Sequence, residues 1–291
     1  MNDVKTIVLS DDVELDPDDI DGLYITKSQN YFFLVHVTSD VIHSKKIEYT
    51  ISITLTPRDD DLSTLNRNFS KHCLIITVND RKGIRTGHID LLSHENICSM
   101  CKDLERKTGT YEMVMSSLYL CEKMFGVTKF TLEDASNFTC APINEDINLR
   151  IRHLLVHGKS WYEETFGAVP RRAHDLELWS EAQSRLSGNI DQDILRSITR
   201  VIKKHNQILP DMRKKIIDIM IKYKDLTSSS WNAMFKEIND LEDGCIFFRY
   251  SIIKMIKNEH RLDIPDVVKW VININEGQAD EHLLHYKRVY P

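Results

Sequence analysis

Apolar residues two positions apart dominate the first part of the chain. Leu23 to Thr26, Tyr31 to Val37, Ile47 to Thr56 and Cys73 to Val78 are rich in Val, Ile, Thr and aromatic residues, with Asn30, Pro57 and Asn79 between them. Such runs, bounded by turn formers, predict β-strands. Ile47, Tyr49, Ile51, Ile53 and Leu55 alternate with polar or small positions, which predicts a strand with one wet face. A further strand fits Gly87 to Leu92, after the turn Asp80-Arg81-Lys82-Gly83.

The period then changes. Tyr111, Val114, Met115, Leu118, Leu120, Cys121 and Met124 recur at helical spacing, and Gly126 stands where a C-terminal cap belongs. Val127 to Leu132 follows as an apolar strand. Together these predict a strand–helix–strand unit, right-handed if its strands are parallel. Beyond Pro170 the spacing predicts helices over Leu176 to Leu186, Ile190 to Ile208, Met212 to Tyr223, Trp231 to Leu241 and Ile246 to Ile256. Pro265 suits the first turn of a last helix, Asp266 to Ile272. The pattern thus predicts an α/β (α+β) chain, with an α/β domain over 1–170 and an all-α C-terminal domain over 171–291.

Composition narrows the class. Of 291 residues, 42% are hydrophobic and 28% charged, the balance of a soluble globular protein. No run approaches the ~18 apolar residues of a membrane-spanning helix, and no secretion signal is legible. Six cysteines are too few for a disulfide scaffold, so reduced thiols and an intracellular location are expected. Before Arg171 there are 18 basic against 26 acidic residues; from it onward there are 20 against 18. The acidic excess gathers at Asp11, Asp12, Glu14, Asp16, Asp18, Asp19 and Asp21, and again at Asp59 to Asp61. These runs repel phosphates and argue against general nucleic-acid binding.

Four segments carry candidate chemistry. Leu104-Glu105-Arg106-Lys107-Thr108-Gly109-Thr110-Tyr111 leads from a strand into a helix, where free amides, the helix dipole and two basic side chains suit a phosphate or pyrophosphate. It is no Walker loop, because the pattern of two glycines followed by Lys-Ser/Thr is absent. Gly158-Lys159-Ser160-Trp161-Tyr162-Glu163-Glu164-Thr165-Phe166-Gly167 is an aromatic helical stretch closed by glycine. Core packing accounts for Trp161 and Phe166, whereas the neutral phenol of Tyr162 can donate a proton. Cys98 and Cys101 have the spacing of half a zinc site, but no second pair exists, so these are expected to be structural or incidental thiols. His153 and His157 share a helical face without the glutamate of an HExxH motif. An ordinary core or surface pair, and no metal site, is the expectation there.

The order of these features resembles the GNAT superfamily of N-acetyltransferases. In that family a Gln/Arg-x-x-Gly-x-Gly/Ala loop cradles the pyrophosphate of acetyl-CoA; here the stretch is Arg106-Lys107-Thr108-Gly109-Thr110-Tyr111. Phe125 to Glu133 looks like the family's helix end and following strand, and Ser160-Trp161-Tyr162-Glu163 to Gly167 like its late FYEKLGF segment. The resemblance covers roughly Cys73 to Pro170. It implies acetyl-CoA as cofactor, held by Arg106, Lys107, Thr108, Gly109, Thr110 and Tyr111. It implies Tyr162 as the acid that protonates the departing thiolate, and Asp90 or His88 as general base. Two departures stand out. Tyr111 occupies a position where the family has Gly or Ala, and no last strand of the closing hairpin is legible after Val169-Pro170.

Two functions follow from this resemblance. One is an acetyl-CoA-dependent transferase acting on an amine. The other is an inactive member of the fold serving in assembly, since the long helical addition is similar in style to GNAT-like proteins of large DNA viruses. A minor capsid or other virion component is then implied. The helical region, with Trp231, Phe235, Phe247 and Phe248, could dock a protein partner, although a core is the simpler reading of those aromatics.

Overall fold

The computed structural model describes residues 6–8, 22–27, 32–43, 46–55, 73–81, 83–92, 108–134, 136–204, 208–224, 230–249, 268–274 and 285–289. Twelve strands and eight helices lie among these residues. In chain order they are β1 (Thr6–Val8), β2 (Gly22–Lys27), β3 (Phe32–His43), β4 (Lys46–Leu55), β5 (Leu74–Arg81), β6 (Ile84–Leu92), α1 (Thr108–Phe125) and β7 (Lys129–Glu133). Then come β8 (Asn137–Cys140), β9 (Glu145–Asn148), α2 (Leu149–His157), α3 (Trp161–Phe166), β10 (Val169–Pro170), α4 (Ala173–Ser187), α5 (Gln192–Lys204) and α6 (Pro210–Lys224). The last are α7 (Trp231–Asn239), α8 (Gly244–Phe247), β11 (Lys269–Asn273) and β12 (His285–Val289).

The chain forms two compact units, Met1–Leu132 with Val271–Pro291, and Glu133–Trp270. This division differs from the one expected at Pro170. The C-terminal region is also not all-α: the helix expected at Asp266 to Ile272 is the strand β11, and β12 follows it. Val268, Trp270, Val271 and Ile272 are all buried, and an apolar run buried on both faces lacks the alternation that marks a strand in sequence.

The first unit is built on a mixed sheet in the order β1-β12-β2-β3-β4-β5-β6-β7-β11. From β1 to β6 all neighbours are antiparallel, whereas β6 and β7 are parallel. The helix α1 connects that parallel pair, as the strand–helix–strand pattern requires. Alternation sets the core. Tyr49 and Ile51 on β4, Leu74, Ile76 and Val78 on β5, and Gly87 and Ile89 on β6 are buried along one face. Tyr49 meets Phe125 of α1 there, with ring centroids 4.7 Å apart. Each of the buried Leu, Ile and Val side chains contributes about 1.5–3 kcal/mol by leaving water.

α1 ends where Gly126 takes φ +65° and donates its amide to Glu122, the left-handed cap expected from sequence. Arg85, at the start of β6, donates to the Phe125 carbonyl at 3.0 Å. The C-terminus of α1 therefore sits at the beginning of β6, and its N-terminus lies toward the end of β6 that carries Asp90.

In the second unit, helices surround an aromatic core. Trp179 and Trp270 meet edge to face at 5.1 Å. Trp231, Phe235, Phe247 and Phe248 are all buried and in ring contact, Trp231 stacked on Phe235 and Phe247 edge-on to Phe248, so these aromatics form core. Cys140 on β8 and Cys245 on α8 form a disulfide with Cα atoms 5.8 Å apart, and Cys73 of the first unit is disulfide-bonded as well. The expectation of reduced thiols is thus corrected: residues 105 positions apart meet because the hairpin β8–β9 and α8 come together. Cys121 is free and buried, and burial pushes its thiol pKa up, which leaves it an unreactive core residue. No helix among the described residues is long and apolar enough to cross a membrane.

Candidate functional site

The β6–α1–β7 crossover positions the first group of candidate residues. The parallel ladder is short, pairing Gly87 with Phe130, His88 with Thr131 and Ile89 with Leu132. Gly87 is required there: a Cβ would lie 2.3 Å from Cδ1 of Phe130, far inside contact distance. Along the other edge of β6, Ile76 pairs with Ile89 and Ile75 with Leu91. Asp90 is the residue left over, a β-bulge at the point where the pairing with β7 stops. Bulges of this kind re-aim side chains and recur beside active sites.

Asp90 and His88 are brought together, with His88 Nε2 3.7 Å from Asp90 Oδ1. Thr77 Oγ1 donates to Asp90, and His88 Nδ1 lies 2.9 Å from Thr131 Oγ1. Both members of the pair are partly exposed, at 37% and 41%. Water and solutes therefore reach them, and the pair can accept a proton.

α1 begins at Thr108, three residues before the expected start at Tyr111. Gly109 and Thr110 are consequently the first turn of a helix and not members of a loop. Thr108 is exposed, whereas Gly109 and Thr110 are buried. The hydroxyl of Thr110 is buried and has no hydrogen-bond partner among the described residues. Tyr111 is 42% exposed. No acidic residue occupies the first turn. Amide donors, the Thr110 hydroxyl and a first turn without acidic side chains make this helix end chemically suited to an anion. Arg106 and Lys107 lie outside the described residues.

Tyr162 belongs to the second unit, and two local devices hold its helix. Ser160 Oγ accepts from the Glu163 amide at 3.0 Å, while Glu163 Oε2 accepts from the Ser160 amide at 3.2 Å, a reciprocal capping box. Glu163 Oε2 also accepts from Trp179 Nε1 at 3.1 Å. At the other end Gly167 takes φ +63° and closes α3, as expected.

Core packing does not single out Trp161 and Phe166, which are only half-buried. Tyr162 is the most buried aromatic of the three, at 8% exposure. Burial, with the nearby charge of Asp134 second, pushes its phenol pKa up, so the group stays protonated. Asp134 is itself buried at 4%, and burial raises its carboxyl against the opposing pull of Ser136 and Arg150.

The turn between α2 and α3 brings together a set that sequence reading kept apart. His153 and His157 stack with ring centroids 4.3 Å apart, and Glu164 of α3 approaches His153 at 3.5 Å. Burial and the neighbouring His153 hold the His157 pKa down. Glu164 carries no sequence signal of its own; its position in the first turn of a capped helix directly after the histidine helix is the clue.

No protein-family model, curated protein or solved structure matches this chain.

Proposed function

We propose that the chain is a GNAT-like acyltransferase that transfers acetyl from acetyl-CoA to an amine. The observation that carries this reading is the bulge at Asp90, at the end of a three-pair parallel ladder and on the side of β6 toward which α1 presents its N-terminus. Ligands in sheets with parallel crossovers sit at carboxyl ends of strands beside a helix N-terminus. β10 and β11 are neighbours, with the Arg171 amide donating to the Lys269 carbonyl at 2.7 Å and the helices α4–α8 between them in the chain.

Acetyl-CoA supplies a thioester, the activated acyl group, when bound. Thr108, Gly109, Thr110 and Tyr111 offer amides and the Thr110 hydroxyl to its pyrophosphate, with Arg106 and Lys107 supplying charge. Asp90, or His88 beside it, removes the proton from the attacking amine, directly or through water. In the family that the chain resembles, a tyrosine at the place of Tyr162 protonates the departing thiolate. One amide and one free thiol result, with no change of oxidation state.

The test is release of free CoA thiol in the presence of a panel of amines. Asp90→Asn is expected to lower kcat/KM by about 100-fold or more, within the usual range for a general base. Tyr162→Phe is expected to lower kcat with KM for acetyl-CoA unchanged. Turnover unaffected by either substitution overturns the assignment.

One observation favours a second reading, an assembly protein of this fold that has lost the chemistry. The Cys140–Cys245 disulfide belongs to oxidising settings, among them virion surfaces. Under this reading acetyl-CoA does not bind, and the protein is recovered in an oxidised particle.

A further inference from the structure

The end of α2 and the start of α3 carry a group that the acyltransferase reading does not use. His153 and His157 are one helical turn apart, and one ligand atom from each, with one carboxylate oxygen of Glu164, lie within 4.8 Å of one another. Each element that carries them is fixed by its own contacts. Asn148 accepts from the Ile151 amide at the start of α2. Gly158 ends α2 in a left-handed cap, its amide donating to the Leu154 carbonyl, and Asn232 of α7 donates to the carbonyls of Leu154 and Leu155 at 3.0 and 2.7 Å. Ser160 and Glu163 lock α3.

The tautomer of His153 follows from its partner. Its Nδ1 lies 2.9 Å from the Lys159 carbonyl oxygen, which can only accept, so Nδ1 carries the hydrogen. Nε2 then presents a lone pair on the side of Glu164, the orientation that a backbone carbonyl imposes on metal-ligating histidines. The 3.5 Å between His153 Nε2 and Glu164 Oε2 is close to the edge of a zinc tetrahedron, about 3.3–3.4 Å for bonds of ~2.0–2.1 Å. His157 and Glu164 are exposed, so their side chains can close the remaining gap. A plain ion pair accounts for His153 and Glu164 but leaves His157 with no hydrogen-bond partner among the described residues.

We infer that His153, His157 and Glu164 form a binding site for one divalent transition-metal ion of the zinc class, with the fourth position open to solvent. Two imidazoles and one carboxylate match such ions and do not match magnesium or calcium, which require oxygen ligands. Arg152 and Lys236 lie near His157 and oppose a cation, so the affinity is moderate. A bound ion ties the end of α2 to α3. The inference stands whether or not Tyr162 acts as an acid.

The full chain, stripped of metal with EDTA, is titrated with Zn2+ against a chromophoric chelator and melted with and without the ion. One Zn2+ per chain is expected, with Kd on the order of 1 μM, together with a higher Tm. His157→Gln and Glu164→Gln alter exposed side chains and leave the metal-free Tm unchanged. Each is expected to weaken Zn2+ binding by at least about tenfold. Co2+ provides a second readout, a tetrahedral visible spectrum that both substitutions abolish. No binding below millimolar Zn2+, or binding undiminished in the two folded variants, overturns the site.

Discussion

Replacing Thr110 with Val separates the stability of α1 from its use as an anion site. Thr110 is 5% exposed, and its hydroxyl has no partner among the described residues. Valine has nearly the same shape and comparable helix propensity, so the substitution removes a hydroxyl and little else. Burying an unpartnered hydroxyl costs about 1–3 kcal/mol, and Thr110→Val should recover that amount in the ligand-free protein. For a unit of this size, 1 kcal/mol corresponds to about 2–4 °C, so the first unit should melt about 2–12 °C higher.

Differential scanning calorimetry is the suitable assay, because a chain of two units need not unfold in one step. The same scan at a hundredfold excess of acetyl-CoA over its Kd should raise the wild type by about 2.7 kcal/mol, and should raise the variant less. A variant that melts below the wild type without ligand refutes the reasoning, because the hydroxyl must then be hydrogen-bonded in the folded protein.

Further outcomes follow from other contacts. Gly87→Ala places a Cβ 2.3 Å from Phe130 Cδ1. Because that ring is fully buried, urea unfolding should show a loss of about 1–3 kcal/mol, partly recovered by adding Phe130→Leu; a neutral single variant contradicts the close approach of β6 and β7. Cys245→Ser opens a crosslink between residues 105 apart and should cost about 4–5 kcal/mol by chain entropy, read from denaturation of the second unit; an unchanged midpoint counts against the disulfide. Arg85 donates to Asp80 at 2.8 Å and holds its carboxyl below the ordinary value of 3.8. A lowered folded-state pKa stabilises above the unfolded value and is lost as pH falls through the folded one. Acid titration should therefore show wild type and Asp80→Asn converging in stability as the pH falls below 3.8, and parallel curves there would exclude the pairing.

The legible parts of this protein are those written in local pattern. Strands β3, β4 and β5 read correctly because Val35, Tyr49, Ile51 and Ile76 alternate with wetter positions, and α1 because its apolar residues recur three and four apart before Gly126. β11 does not read as a strand because Trp270, Val271 and Ile272 are consecutively buried, and a continuous apolar run carries neither period. The hairpin β8–β9 escaped notice because Asn137, Thr139, Glu145 and Asp146 give it a polar surface. The candidate residues carry a signal in type and not in geometry. Asp90, or His88 in its place, follows from the family resemblance, whereas the bulge that offsets Asp90 depends on its register with β5. The meeting of Cys140 with Cys245, and of Glu164 with the two histidines, depends on packing between elements that no local spacing encodes.

Calorimetric titration with acetyl-CoA decides most directly whether the α1 N-terminus is a cofactor site. Thr108 is exposed at the first position of α1, so Thr108→Glu adds a carboxylate beside the helix N-terminus and leaves the core intact. One-to-one binding by the wild type, with Kd on the order of 10 μM or tighter, and a loss of at least about tenfold in the folded variant are the expected results. No heat at millimolar acetyl-CoA, or equal binding by both proteins, contradicts the acyltransferase reading.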